Sequence, residues 1–182
     1  MPALSGPKTW KSFKAHWGNC DQCELCSVRK NIVLAKGKIP CDVLFVGEAP
    51  GASEDAIGLP FVGPAGHLLD EQIAEALENA HKHELRLCFT NLVCCIPKEG
   101  NIKIGEPLKE HIDACSQRLD EFMFMCNPRL IVAVGDLSKK WLADKSEVHI
   151  THPAAILRAE IVRQALMRQK VVVVLENAFR DL

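Results

Sequence analysis

The side chains able to do chemistry are gathered in a few short stretches. Phe45 to Gly66 reads FVGEAPGASEDAIGLPFVGPAG, and it sets Glu48, the pair Glu54–Asp55 and an isolated Phe61 on a segment broken by glycine and proline. Asn91 lies near the end of the apolar run Leu85–Val93, and His152 stands between Thr151 and Pro153. A carboxylate can act as a general base, and an imidazole can donate to charge building on a leaving group. An asparagine amide offers one acceptor and two donors. Each residue also has a plain structural reading. The acids suit a solvated connection, Phe61 a hydrophobic plug, Asn91 a strand-end turn and His152 a structural ring.

Cysteine is the other reactive class, with nine copies. Cys20-Asp-Gln-Cys23-Glu-Leu-Cys26 holds two overlapping CxxC pairs. A CxxC followed by two distant cysteines suits a tetrahedral metal or a [4Fe–4S] cluster. An odd count in a chain without an export signal argues against a disulfide framework. Cys88 and Cys126 read as core residues, and Cys41 opens a strand.

Alternating strands and helices must position these groups. A short amphipathic helix over residues 8–17 carries Trp10, Phe13 and Trp17. Cys41–Gly47 is a continuous apolar run, as expected of a strand covered on both faces. The period predicts a helix from Ala65 to about Ala80, a strand over Leu85–Val93 and a long helix over Glu106–Cys126 that opens near Pro107. A third buried strand spans Arg129–Gly135, then a short helix Leu137–Leu142 and a brief strand at Val148–Thr151. From Pro153 on the period is helical, with Val171–Val174 a possible strand. This order predicts one α/β domain over 1–182, a three-layer sandwich on a mainly parallel four-stranded sheet. The N-terminal helix and cysteine-rich segment fill residues 1–30, and the α/β core residues 41–182. Ligands of such sheets bind at the carboxyl ends of the strands. Those ends carry Gly47-Glu48, Asn91, Gly135 and Thr151-His152, and three of the four present polar side chains.

Several classes are disfavoured. GxGxxG does not occur in the Phe45–Gly66 stretch. Gly58-Leu-Pro-Phe-Val-Gly63 has Walker-like spacing, but Pro64-Ala65 stand where lysine and serine or threonine are required. Pro50, Pro60 and Pro64 also remove backbone donors that a phosphate would need. The net charge of −1 announces no polyanion, although a local basic face would suffice. No apolar run approaches the roughly 20 residues of a membrane span. MPALSGPKTWKSFKAHW lacks the apolar region of a signal peptide, which predicts an intracellular, cytoplasmic chain.

Taken together, GEAPGASEDAIGLPFVGPAG, TNLVCCIP and THPAAILR, in that order behind CDQC, resemble the uracil-DNA glycosylase superfamily. They are closest to its iron–sulfur-containing family 4 members, over roughly Cys20 to Arg158. The resemblance implies a monofunctional enzyme of base excision repair that hydrolyses the N-glycosidic bond of uracil in single- or double-stranded DNA and leaves an abasic site. It implies that Glu48 positions or activates water and that His152 donates to uracil O2. Phe61 would stack on the flipped base, Asn91 would pair with N3–H and O4, and backbone N–H groups near Gly47 would assist. Glu54 would guard the face where thymine carries its methyl group, and Arg158 would meet phosphate. The implied ligands of a [4Fe–4S] cluster are Cys20, Cys23, Cys95 and Cys115, with Cys26 and Cys94 as neighbouring choices and zinc at the same thiolates as the alternative metal. No membrane contact is expected, and the chain is expected to be a monomer.

The sequence also departs from that pattern. Gly135 to His152 is short where the family usually carries an extra segment with an Arg-Gly pair and a hairpin. Ala154 stands where serine is common, and Ile96-Pro-Lys-Glu replaces an Arg-Pro-Pro type. These departures motivate a second reading, a glycosylase-like module that binds DNA or protein without turnover. An iron–sulfur redox protein is a third.

Overall fold

The computed structural model describes residues 9–99 and 103–182. The first eight residues, part of the stretch read as lacking an export signal, lie outside it. The central sheet has the order β1-β3-β2-β6-β7: β1 Lys36–Gly37, β2 Val43–Gly47, β3 Leu87–Asn91, β6 Leu130–Val134 and β7 Val148–Ile150. A separate two-residue hairpin joins β4 Lys98–Glu99 to β5 Lys103–Ile104.

β2, β3, β6 and β7 run parallel, as the alternating pattern requires. The sheet has five strands rather than four, because β1 adds antiparallel to the outer edge of β3. β1 is two residues long and polar, so no periodicity announces it. The possible strand at Val171–Val174 does not form. Those valines belong to helix α7, Ile161–Arg180, which buries Val171, Val172, Leu175 and Phe179 along one helical stripe. Packing of that stripe overrides the strand preference of consecutive valines.

Every residue of β2 is buried, and its side chains alternate between two cores. Leu44 and Val46 face one core, built on α1 Trp10–Trp17 and α4 Lys109–Cys126. Val43 and Phe45 face the other, built on α3 Pro64–Ala80 and α7. α4 buries Ile112, Cys115, Leu119, Phe122 and Cys126, alternating steps of three and four residues. α1 is held there by Phe13 packed on Phe122 and by the Trp17 indole N–H, which donates to buried Glu121 at 2.7 Å. Among the described residues no helix is long and apolar enough to cross a membrane.

The connections decide where a ligand can sit. From β2 the chain passes through α3 to β3 on one side, then returns through α4 to β6 on the other side of β2. The carboxyl ends of β2 and β6 therefore flank a topological switch point, where connections diverge and leave a crevice. Glu48 follows β2 directly, and Gly135 follows β6.

Candidate active site

A cleft of about 730 Å³ opens at that switch point. Its wall carries Glu48, Glu54, Phe61, Asn91, His152 and Arg158, so three separate motifs reach one cavity. Gly47 lies behind the wall, where its bare Cα lets Asn91 Oδ1 and the Phe61 ring close in from two sides. A Cβ at Gly47 would come within 2.6 Å of Phe61 Cζ.

Glu48 and His152 flank Gly135. A Cβ at Gly135 would collide with Glu48 Oε1 and stand 3.2 Å from His152 Cβ. Gly135 also has φ +97°, in the left-handed region that favours glycine. The Glu48 carboxyl is pushed up from its ordinary range, first by burial and then by Glu106, while the Leu137 backbone N–H opposes the rise. His152 precedes Pro153 and caps α6 Pro153–Arg158, its Nδ1 accepting from the Ala154 N–H at 3.2 Å. That bond leaves the proton of the neutral ring on Nε2. Burial, and next Arg158, push its pKa down, so the ring is neutral near pH 7.

Phe61 is an internal brace as well as part of the wall. Its backbone is left-handed at φ 53°, a costly conformation for a bulky residue. Lys36 Nζ donates to its carbonyl at 2.9 Å, and Gly66 approaches the same carbonyl so closely that no Cβ would fit there. Behind it the ring packs on Phe89, centroids 5.9 Å apart, and Phe89 stacks on Phe45. Glu54 turns its carboxylate toward the loop itself. Oε1 accepts from the N–H groups of Val62 and Gly63 at 2.9 and 2.8 Å, and Oε2 from Gly51 at 3.1 Å. The segment read as loop thus contains a short helix, α2 Ala52–Ile57, that fixes Phe61 through Glu54. Asp55, buried beside it, accepts from the N–H groups of Lys30 and Asn31. The glutamate–aspartate pair of the opening motif is a double staple.

Asn91 is buried, and among the described residues its amide has no hydrogen-bond partner. Its backbone is anchored by Arg118, a residue the sequence analysis did not single out. Arg118 is 2 % exposed and donates to Thr90 Oγ1, the Asn91 carbonyl and the Leu92 carbonyl at 2.7–2.9 Å. A guanidinium so placed fixes the exit of β3 by three bonds. Its signal in the sequence was an arginine on the apolar stripe of α4, between Cys115 and Phe122. Glu106, from the segment after β5, also joins the wall and was not foreseen.

Cys20, Cys23, Cys95 and Cys115 line one small cavity with Cys94, Trp17 and Arg29. Cys26 is not on that wall, which separates it from Cys20 and Cys23. Arg29 donates to Cys95 Sγ at 3.4 Å and to the Cys20 carbonyl at 2.7 Å. Burial pushes the Cys95 thiol up to about 11 and Cys94 to about 12. The tightest thiol cluster, however, is elsewhere. Cys41, Cys88 and Cys126 have their sulfurs within 4.8 Å of one another.

Residues 34–179 match the family model described as the uracil DNA glycosylase superfamily. This chain belongs to that superfamily. A curated relative from Pyrobaculum aerophilum, named a type-4 uracil-DNA glycosylase, is 36% identical over 170 residues, covering 80% of this chain and 83% of the relative. Relatives of the same name from Sulfurisphaera tokodaii and Thermotoga maritima are 37% and 35% identical over 127 and 132 residues. Those matches cover 70% and 72% of this chain, and 54% and 65% of the relatives. The superfamily match includes the whole cleft, from Glu48 to Arg158, and begins after the CDQC motif.

Proposed function

We propose that this protein is a monofunctional uracil-DNA glycosylase of the type-4 kind, which hydrolyses the bond between uracil N1 and the deoxyribose C1′ and leaves an abasic site. The observation that carries this reading is that Glu48 and His152, which flank Gly135, line the same cleft as Asn91 and Phe61.

The base enters the cleft flipped out of the stack. Phe61 offers its ring for stacking, worth about 1–3 kcal/mol. The Asn91 amide, with no other partner among the described residues, accepts from N3–H and donates to O4. As the glycosidic bond lengthens, negative charge grows on the base and positive charge on the sugar. His152 Nε2–H donates to O2, where a neutral donor stabilises the developing anion. The Glu48 carboxylate orients water toward C1′, accepts its proton, and favours the sugar cation. Glu54 and Arg118 act as positioning residues, the first through Phe61 and the second through Asn91. Arg158, exposed at the rim, meets the phosphate backbone.

Cys20, Cys23, Cys95 and Cys115 would hold a [4Fe–4S] cluster. The four line one small cavity, with zinc at the same thiolates as the alternative metal. The cluster would supply a cross-link between the N-terminal segment, the exit of β3 and α4.

The test is release of uracil from a labelled single-stranded oligonucleotide by anaerobically purified protein, followed by alkaline cleavage of abasic sites. Cleavage at uracil, and none in a matched thymine oligonucleotide, is the expected result. Tight uracil-DNA binding with no cleavage would overturn the reading in favour of a binding module.

A further inference from the structure

We infer that Cys41, Cys88 and Cys126 form a second metal site, for a single thiophilic d¹⁰ cation of the Zn(II) or Cu(I) class, at the end of the sheet opposite the cleft. This inference does not rest on the proposed activity. The three sulfurs lie within 4.8 Å of one another, and their residues are at most 1 % exposed. A metal–sulfur bond of about 2.3 Å spaces three sulfurs about 4.0 Å apart in a trigonal site and about 3.8 Å in a tetrahedral one. Closure therefore needs movements of under about 1 Å from side chains already converging. Soft thiolates select this ion class.

The three ligands come from separate elements. Cys41 enters β2, Cys88 is the second residue of β3, and Cys126 ends α4. Their surroundings hold them in place, as outer contacts do in metal sites. The Cys41 N–H donates to the Cys126 carbonyl at 3.1 Å, while the Cys88 S–H, which donates to the Lys38 carbonyl at 2.9 Å, would give up its proton to the ion. Three apolar side chains would fill a core equally well, without bringing three sulfurs together. Among the described residues no fourth His, Cys, Asp or Glu joins the group, so a bound ion is held by three sulfurs. The ion would pin the amino ends of β2 and β3 to the end of α4.

The test uses full-length protein purified anaerobically with its iron retained. It is incubated with Zn(II), or separately with Cu(I), and then desalted against a competing chelator. Wild-type protein should retain one equivalent more of at least one ion than C41S or C126S, with iron content equal in all three. Equal retention by all three proteins, for both ions, overturns the inference. Because a serine in this core can impair folding, a second measurement uses wild-type protein alone. Alkylation in moderate urea, read by peptide mass spectrometry, should slow about tenfold or more at Cys41, Cys88 and Cys126 when the metal is present. Unchanged rates there, or protection confined to Cys20, Cys23, Cys95 and Cys115, overturn it equally.

Discussion

In the proposed mechanism Glu48 and His152 carry opposite demands in one cleft, and burial serves His152 while opposing Glu48. A base must be ionised to take a proton from water, yet burial and Glu106 hold the Glu48 carboxyl above its ordinary range. Activity should therefore fall as pH drops through a value above that of an ordinary glutamate. E106Q, by removing a negative neighbour, should move that acid limb of kcat/KM to lower pH. A pH–rate profile of the two proteins checks the sign. In that proposal His152 donates from Nε2 as a neutral ring while Nδ1 accepts, and burial, which lowers its pKa, favours that form. E48Q should lower single-turnover uracil release by about 10²–10⁴-fold with little change in DNA affinity, because general-base contributions are of that size. An equal loss of binding and turnover would assign Glu48 to substrate binding instead.

At the scale of elements, the active residues are only as well placed as the strand ends that bear them. G135A would put a methyl group into Glu48 Oε1 on a backbone with φ +97°. We expect uracil release to drop at least as far as in E48Q, with Tm lowered as well. Arg118 ties α4 to the exit of β3. R118M would leave the Thr90 hydroxyl and two buried carbonyls short of a donor, for a destabilisation of about 3 kcal/mol or more. It should also raise KM for uracil-DNA through a displaced Asn91; chemical denaturation and steady-state kinetics read the two effects separately. At the other end of the sheet, Asp42 accepts from the Arg86 backbone N–H, Nε and Nη2, which lowers its pKa to about 2. Its folded-state pKa lies below the unfolded value near 4, so its stabilisation is complete above about pH 4 and is lost as pH falls toward 2. Urea midpoints of wild type and D42N should converge over that window.

The whole molecule is a sheet with a thiol-lined site behind it and a polar cleft at its mouth. Arg118 belongs to both, since it also lines the cavity of Cys20, Cys23, Cys95 and Cys115. Loss of the proposed cluster should therefore reach the cleft through Arg118 and the exit of β3. C115A should lose its iron–sulfur absorbance, expose the segment around residues 9–30 to protease, and lose uracil release in proportion. Retained turnover in iron-free protein would show that the cross-link is dispensable to the cleft.

The parallel α/β order was legible because strands covered on both faces must be continuously apolar, as Val43–Val46 is, and because helices such as α4 must repeat their apolar positions every three or four residues. The cleft residues were legible because short motifs at strand ends must converge in this topology. β1 escaped notice because two residues carry no period. The helix over Val171–Val174 could be decided only by packing on α3, since four valines favour a strand locally. The same reason separates the remaining roles. The sequence by itself determined which residues would stand at the strand ends, and so the family to which the chain belongs. Only the tertiary structure decided that Glu54 and Asp55 brace backbone, that buried Arg118 anchors Asn91, and that Cys41, Cys88 and Cys126 meet. Apart from the Gly51–Glu54 bond, those contacts join positions 8 to 85 residues apart, and spacing along a chain says nothing of distances set by packing.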